Sequence, residues 1–250
     1  MDKDEFFRKR IQELCCSAYQ RDIVTFTDFL DLNELHMINN LDVRRWGVSQ
    51  RSFGGYEMSE RQITAFIPDA LSYEWTFPIV CLKIEAADRK FSRPPGHRDY
   101  LGALVNLGIE RSMLGDILTE EGCAYVFCVQ RMEEFICREL TRVGRSMVYV
   151  KAVDPSSVNA ARSYQELTAT VASARLDSVI GAAFATSRSG ITGLIEGGRV
   201  FVNGKMVTSN GHSLKEKDIV SVRGMGKFQY MGILSQTKKG RCRIWINRYR

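Results

Sequence analysis

A tight-turn dipeptide, Asn203-Gly204, stands between two short runs of strand-forming residues at 200–202 and 205–207. Asn-Gly readily supplies the two positive φ angles of a two-residue hairpin turn, so the chain is expected to reverse direction there. Further strand patterns follow at 219–222, 228–234 and 241–246. The end of the chain is therefore predicted to form a small antiparallel sheet that starts from this hairpin.

Two short helices are predicted immediately before the hairpin. The first carries apolar residues at helical spacing from Leu176 to Phe184, and the second carries them from Ile191 to Ile195. Ser187 is expected to cap the second helix, and Gly197-Gly198 is expected to end it.

The middle of the chain follows a β-α-β-β-α-β pattern. Strands are predicted at 77–84, 113–118, 123–129 and 147–153, and helices at 100–107 and 133–143. This order is that of a ferredoxin-like domain, in which two helices cover one face of a sheet and the other face stays free. Tyr125 and Phe127, which alternate with apolar neighbours, are interpreted as core residues.

The first part of the chain is predicted to hold two helices and a small antiparallel sheet. One helix runs through residues 6–18 and a second starts near Thr25 or Thr27, before strands at 43–48, 53–58 and 62–67. The predicted fold class is α+β. Its domains are an N-terminal module (1–75), a ferredoxin-like domain (76–155), a polar connector containing or ending in a short helix (156–172) and a C-terminal domain (173–250).

Charge is distributed unevenly along the chain. Residues 171–250 hold 14 basic and 4 acidic side chains, a net charge of +10, whereas residues 1–75 carry −4 and residues 76–170 are neutral. A surface that neutralises phosphates is the physical use of such a balance, and a merely solvated basic face is the alternative. The candidate contacts lie at element ends and turns of the C-terminal domain: Arg175, Arg188, Arg199, Lys205, Arg223 and Lys227, with Ser187 at a helix start that favours anions.

No catalytic constellation is found in the sequence. His97-Arg98-Asp99 copies a kinase tripeptide, but the other kinase motifs are missing. Gly224-Met225-Gly226 is interpreted as a turn between strands, and the acidic cluster of Asp116, Glu120 and Glu121 is interpreted as solvated. We therefore expect a protein that is not an enzyme, with no catalytic residues and no cofactor.

Cysteine and histidine usage predicts a reduced cytoplasmic protein without a metal site. The seven cysteines lack CxxC spacing, and the three histidines lie far apart. The first ten residues lack the apolar core of a signal peptide, and no uncharged run exceeds ten residues. We expect no membrane association.

The C-terminal residues closely resemble the RNA-binding domain typified by ribosomal small-subunit protein four, the αL motif. The resemblance rests on RLD at 175–177, SR at 187–188, GRVFVNGK at 198–205 and DIVSV at 218–222. It implies RNA contacts at Arg175, Ser187, Arg188, Arg199, Asn203 and Lys205. One departure is Gly190-Ile191, where many members carry further basic residues, so the second helix is expected to hold phosphate less tightly.

The rest of the chain resembles the bacterial YlmH family. The matching segments are GGYEMSER at 54–61, FSRPPGHRDYLGAL at 91–104, LGIER at 107–111 and GDI at 115–117. The resemblance implies a non-enzymatic factor that binds structured RNA on the large ribosomal subunit carrying obstructed peptidyl-tRNA, in ribosome-associated quality control. Ribosomal RNA is the implied ligand, with transfer RNA as a further candidate, and the protein is expected to be a monomer.

Three alternatives stay open at this stage. Lys90, Arg93 and Arg98 are candidates for a second RNA contact, with a purely structural turn an equal alternative. The chain could instead be an RNA-modifying enzyme of the pseudouridine-synthase kind, although no acid-base or nucleophilic set supports that. A protein-interaction adaptor linked to cell division is the third reading.

Overall fold

The computed structural model describes residues 3–56, 59–87, 95–120, 122–158 and 164–249, apart from the side chains of Lys3, Ser157 and Arg188. The chain divides into two compact units, Met1–Ala160 and Ala161–Arg250. Both contain helices and antiparallel sheet. The finer predicted division into four segments stays a prediction.

The first unit begins with two helices and a three-stranded sheet. Its elements are α1 (Lys3–Arg21), β1 (Thr25–Phe26), α2 (Leu32–Asn39), a 3-10 turn (Val43–Trp46), β2 (Val48–Phe53) and β3 (Ile63–Pro68). The strands pair antiparallel in the order β1-β3-β2. The predicted small antiparallel sheet is therefore present, although its members differ from those expected.

The predicted start of α2 near Thr25 or Thr27 is wrong. A capping box sets the start instead, because Asp31 Oδ1 accepts from the Glu34 amide at 2.9 Å and Glu34 Oε2 accepts from the Asp31 amide at 2.9 Å. Thr25 lies in β1, whose pairing with β3 competes with a longer helix.

Two of the strands predicted in this module are also wrong. Residues 43–46 form a 3-10 turn that ends at Gly47, with a φ of 71°. β2 then begins at Val48 and ends at Phe53, where the predicted strand over 53–58 begins. Residues 54–56 are not in a strand, and residues 57–58 lie outside the described part of the chain. The prediction at 62–67 is confirmed by β3, one residue displaced.

The rest of the first unit contains a five-stranded antiparallel sheet and two helices among its described residues. Its elements are β4 (Ile79–Ala86), α3 (His97–Asn106), β5 (Leu114–Glu120), β6 (Cys123–Val129), α4 (Glu133–Glu139), β7 (Arg142–Val143) and β8 (Ser146–Val153). The strand order is β5-β6-β4-β8-β7, so the two hairpin strands β5 and β6 lie to one side of β4. The predicted β-α-β-β-α-β order is present. The helix predicted at 133–143 ends at Glu139, because residues 142–143 pair with β8.

The face of this sheet away from α3 and α4 is partly covered. Phe127 is fully buried there, in one cluster with Phe29 and Ile63 of the preceding module. The backbone at Gly55 packs against the same ring, since a Cβ at Gly55 would clash with Phe127 Cδ1. Phe127 is therefore a core residue as predicted, whereas the free sheet face expected from the fold is only partly open.

A polar network based on Asp116 joins the module to β5. The Asp116 carboxylate accepts from Tyr56 Oη at 2.8 Å and from the amides of Glu60 and Arg61 at 2.7 and 3.2 Å. The Arg61 guanidinium donates to the carbonyls of Phe29 and Leu114 at 2.7 and 2.9 Å. Burial lowers the pKa of Arg61. The interpretation of Asp116 as a solvated carboxylate is wrong, because this half-buried residue of β5 accepts three hydrogen bonds from the loop between β2 and β3.

The second unit holds two helices and a six-stranded sheet. Its elements are β9 (Tyr164–Val171), α5 (Leu176–Phe184), α6 (Arg188–Glu196), β10 (Val200–Val202), β11 (Lys205–Met206), β12 (Ile219–Val222), β13 (Gly226–Gln236) and β14 (Cys242–Tyr249). The strand order is β11-β10-β12-β13-β14-β9. Both helices pack on one face of this sheet through Val179, Ile180, Ile191, Val220 and Phe228.

The predicted connector at 156–172 contains a strand. β9 pairs along its whole length with β14, from Tyr164 opposite Tyr249 to Val171 opposite Cys242. β9 is an edge strand, and polar residues alternate with apolar ones along it because only one of its faces packs against the unit. This polar composition is typical of a connector, which explains the wrong prediction. No helix in the described part of the chain is long and apolar enough to cross a membrane.

The Asp116 network predicts a specific loss of stability. Asp116→Ala should lower the free energy of unfolding by about 3 kcal/mol, because two backbone amides and a hydroxyl lose their acceptor. Urea unfolding of the full chain measures this. Glu120→Ala is the matched control on the same strand, since Glu120 is exposed. Equal stability of the two variants would contradict the structural role of Asp116.

Candidate nucleic-acid interface

The platform of the candidate interface is the packed pair α5 and α6. α5 buries Leu176, Val179 and Ile180, and α6 buries Ile191 and Ile195. α5 ends at Phe184 and is followed by Ala185, whose φ is 51°, and Thr186 N donates to the carbonyl of Gly181 at 3.2 Å. Arg248 Nη1 also donates to the Ala183 carbonyl at 3.1 Å, where a cation complements the helix dipole. The hydrogen bonds of Thr186 and Arg248 therefore fix the end of α5 that leads into α6.

The start of α6 faces solvent. Ser187 occupies the N-cap position with φ −67° and ψ 149°, but its side chain makes no capping hydrogen bond. Its Oγ lies 3.3 Å from the Ser189 Oγ, and both residues are exposed. The first amides of a helix have no intrahelical acceptor, so this end can receive an anion. Arg188 begins α6, but its side chain lies outside the described residues.

Arg175 lies at the start of α5, over the turn at 209–213. It is exposed, and its Nε lies 3.4 Å from Asp177 Oδ1. In the same turn, Asn210 Nδ2 donates to Glu196 Oε1 at the end of α6, at 2.9 Å. The turn thus ties the start of α5 to the end of α6, and the charge of Arg175 is partly compensated by Asp177.

The Asn203-Gly204 turn is confirmed, with φ angles of 47° and 75°. Both ends of the Asn203 amide are used inside the fold. Nδ2 donates to Asp218 Oδ1 at 2.8 Å, and Oδ1 accepts from the Ile219 amide at 2.9 Å. Asn203 therefore positions the hairpin, while Lys205 beside it is exposed.

Strand pairing brings three of the predicted basic residues together. Arg223 N donates to the Arg199 carbonyl at 2.9 Å, and the Arg223 guanidinium lies 5.0 Å from the centroid of the Phe201 ring. Phe201 is opposite Ser221, which is opposite Lys227, so these residues share one face of the sheet. We call Arg199, Phe201, Arg223 and Lys227 the Arg199 cluster. Arg199 and Arg223 are exposed.

Other candidate residues lie apart from this cluster. Ser187 and Arg188 lie at the opposite end of α6, which has nine residues and is about 13 Å long. Lys205 lies at the far end of the three-residue strand β10. The candidate contacts therefore lie at both ends of α6 and at both ends of the β10-β11 hairpin. Such a spread is typical of contacts to a nucleic-acid backbone and not of a compact pocket.

The second predicted contact is described only at Arg98, which is exposed on α3. Arg98 lines an open groove with Asn106, Thr141 and Arg142. Lys90 and Arg93 lie outside the described residues.

Sequence reasoning missed two features of the second unit. The sequence indicates only that Phe201 lies in a strand, whereas the structure places its ring against the Arg223 guanidinium. A basic group on the hairpin between β13 and β14 was not singled out, although its signal is visible as the run Lys238-Lys239 followed by Arg241 and Arg243.

Five cysteines of the first unit are poor nucleophiles because they are withdrawn from solvent. Burial raises the pKa of both Cys15 and Cys81 to about 12. Burial also raises the pKa of Cys123, Cys128 and Cys137. The thiolate is the reactive form, so these five thiols are protonated and weakly reactive at neutral pH.

Two segments of the chain match known protein families. Residues 74–157 match the family described as a putative RNA-binding domain in YlmH, and residues 174–220 match the S4 domain. The chain is 30% identical over 224 residues to ribosome-associated protein quality control protein P2 of Bacillus subtilis, covering 89% of this chain and 86% of that protein. A solved structure of cell division protein ylmH from Streptococcus pneumoniae is similar in fold. It has a TM-score of 0.51 and 23% identity, and covers 61% of this chain and 92% of that one.

The hairpin geometry predicts how Asn203 contributes to stability. Asn203→Ala should destabilise the second unit by about 2 to 3 kcal/mol, because the Ile219 amide loses its acceptor and alanine is strained at positive φ. Asn203→Gly should recover about 1 kcal/mol of that loss, since glycine removes the strain but not the missing hydrogen bonds. Unfolding free energies and amide exchange at Ile219 measure both effects. Equal loss in the two variants would show that backbone strain contributes nothing.

Proposed function

The chain belongs to the YlmH family, and on that premise we propose that it is a non-enzymatic factor that binds structured RNA on the large ribosomal subunit. Its ligand is ribosomal RNA, with transfer RNA as a further candidate at subunits that hold obstructed peptidyl-tRNA. The role is in ribosome-associated quality control, as the name of the Bacillus relative suggests. The protein acts as a monomer in the cytoplasm.

The Arg199 cluster is the observation that carries this proposal. Its residues Arg199 and Phe201 lie in the segment that matches the S4 domain, and Arg223 and Lys227 follow just after that segment. The cluster presents two exposed guanidinium groups beside an aromatic ring. Guanidinium groups bind phosphate oxygens in a planar, bidentate geometry, and they keep their charge at any physiological pH. The ring under Arg223 restrains that side chain, so less conformational entropy is lost when a phosphate binds.

Structured RNA suits this surface better than a sequence-specific single strand. A-form helices are recognised through phosphates, 2′-hydroxyls and overall shape, because their major groove is too narrow for side chains to read. Exposed cations at element ends, together with the open start of α6, can follow such a backbone without reading bases. We therefore expect binding that depends strongly on salt and weakly on sequence.

A double charge reversal tests the proposal. Arg199→Glu with Arg223→Glu should lower co-sedimentation with purified large ribosomal subunits at least tenfold, since two attractive phosphate contacts become repulsive. Arg8→Glu with Lys9→Glu is the matched control, because both residues are exposed on α1 in the other unit. Circular dichroism and urea unfolding check that both variants fold like the parent chain.

Two results would overturn the proposal. Wild-type co-sedimentation by the Arg199 and Arg223 variant would remove the cluster from the interface. Restoration of a missing modified ribosomal nucleotide by the purified chain, measured by mass spectrometry of nucleosides from a deletion strain, would instead favour the RNA-modifying enzyme.

A further inference from the structure

The hairpin of β13 and β14 leaves the packed core of the second unit before it turns. Burial alternates along β13 up to Gly232, where the register with β14 shifts. From that point every residue of 233–241 is exposed, including Ile233 at 45% and Leu234 at 53%. We call residues 233–243 the hairpin arm.

The tip of the arm is a closed turn. Thr237 N donates to the Arg241 carbonyl at 2.8 Å, Gly240 N donates to the Thr237 carbonyl at 2.9 Å, and Arg241 N donates to Thr237 Oγ1 at 3.0 Å. Gly240 has a φ of 73°, as the left-handed position of a three-residue hairpin loop requires. The turn presents Lys238 and Lys239 on an ordered backbone.

The arm is strongly basic, and the acidic side chain of Glu216 lies at its base, against Gly232. Four of its eleven residues are basic, namely Lys238, Lys239, Arg241 and Arg243, and no acidic residue follows Asp218 in the chain. Among the described residues, none of these four side chains makes an ion pair or a side-chain hydrogen bond. Four unpaired cations on one ribbon create a positive potential that attracts a polyanion.

The arm lies well away from the Arg199 cluster. β13 has eleven residues, so its far end lies about 30 Å from the end near Arg223, at about 3.3 Å per residue. It also lies beyond residue 220, where the match to the S4 domain ends. A phosphate held at the cluster therefore cannot be the one held at the arm.

We propose that the hairpin arm is a second RNA-binding element, which holds the phosphate backbone of structured RNA about 30 Å from the Arg199 cluster. The inference rests on the proposed function, because it assumes that the cluster binds RNA. Two linked contacts raise the overall affinity, since the second forms within the complex already made by the first. The same spacing requires an extended RNA, or two neighbouring RNA segments, as the ligand.

Neutralising the tip tests the arm. Lys238→Gln with Lys239→Gln should weaken binding to a duplex RNA of about 20 base pairs roughly tenfold, and should lower the slope of log affinity against log salt by about 2. Fluorescence anisotropy over a series of potassium chloride concentrations measures both quantities. Arg8→Gln with Lys9→Gln removes the same charge from exposed adjacent positions, and should leave the affinity and the slope near those of the parent chain.

The outcomes separate the arm from the proposed function. If the Arg199 and Arg223 reversal weakens duplex binding but the Lys238 and Lys239 variant behaves like the Arg8 and Lys9 control, the arm proposal alone is wrong. If the parent chain binds neither the duplex nor ribosomal subunits, both proposals fail. Unchanged RNA affinity together with lost binding to vesicles of anionic phospholipid would assign the arm to a membrane and overturn its RNA role.

Discussion

Each unit of the chain depends on a carboxylate that the fold withdraws from solvent and surrounds with donors. Asp218 is 8% exposed, and it accepts from Asn203 Nδ2 at 2.8 Å and from the Lys215 amide at 2.7 Å. Its own carbonyl accepts from the Tyr230 amide at 2.9 Å, which links two turns to β13. Asp116 has the corresponding role in the first unit. A carboxylate removed from water is stable only with such partners, so these loops are determined by the need to satisfy it.

Acidic side chains of the second unit also take part in its internal hydrogen bonds, whereas many of its basic side chains are exposed. Three of the four acidic residues of 171–250 accept hydrogen bonds within the unit: Asp177, Glu196 and Asp218. Arg199, Arg223 and the four basic residues of the hairpin arm are exposed instead. Under the proposed function, an RNA backbone meets exposed cations, while three of the unit's four carboxylates are engaged in hydrogen bonds within the unit.

Sequence reasoning predicted the elements whose signals lie within a few neighbouring residues, and it failed where a distant segment decides the structure. The Asn203-Gly204 turn, α5, α6 and the middle strands were predictable, because turn chemistry and apolar periodicity act within a few residues. The start of α2 was missed because β1 pairs with a strand some forty residues later in the chain. β9 was missed because its partner, β14, lies far from it in the sequence, at the end of the chain. In addition, β9 is an edge strand that has a partner on one side only. The short length of α4 has the same origin, since residues 142–143 pair with β8.

The candidate site divides in the same way. By itself, the sequence determined the family and the basic character of the last 80 residues, because charge and motif spacing are properties of the chain. Only the tertiary structure decided which cations act together. Strand register places Arg223 over Phe201 and beside Arg199, the internal hydrogen bonds of Asn203 make it a positioning residue, and the length of β13 separates the hairpin arm from the cluster. These arrangements arise from pairing between distant segments, and side chains that meet across strands leave no mark in the local sequence.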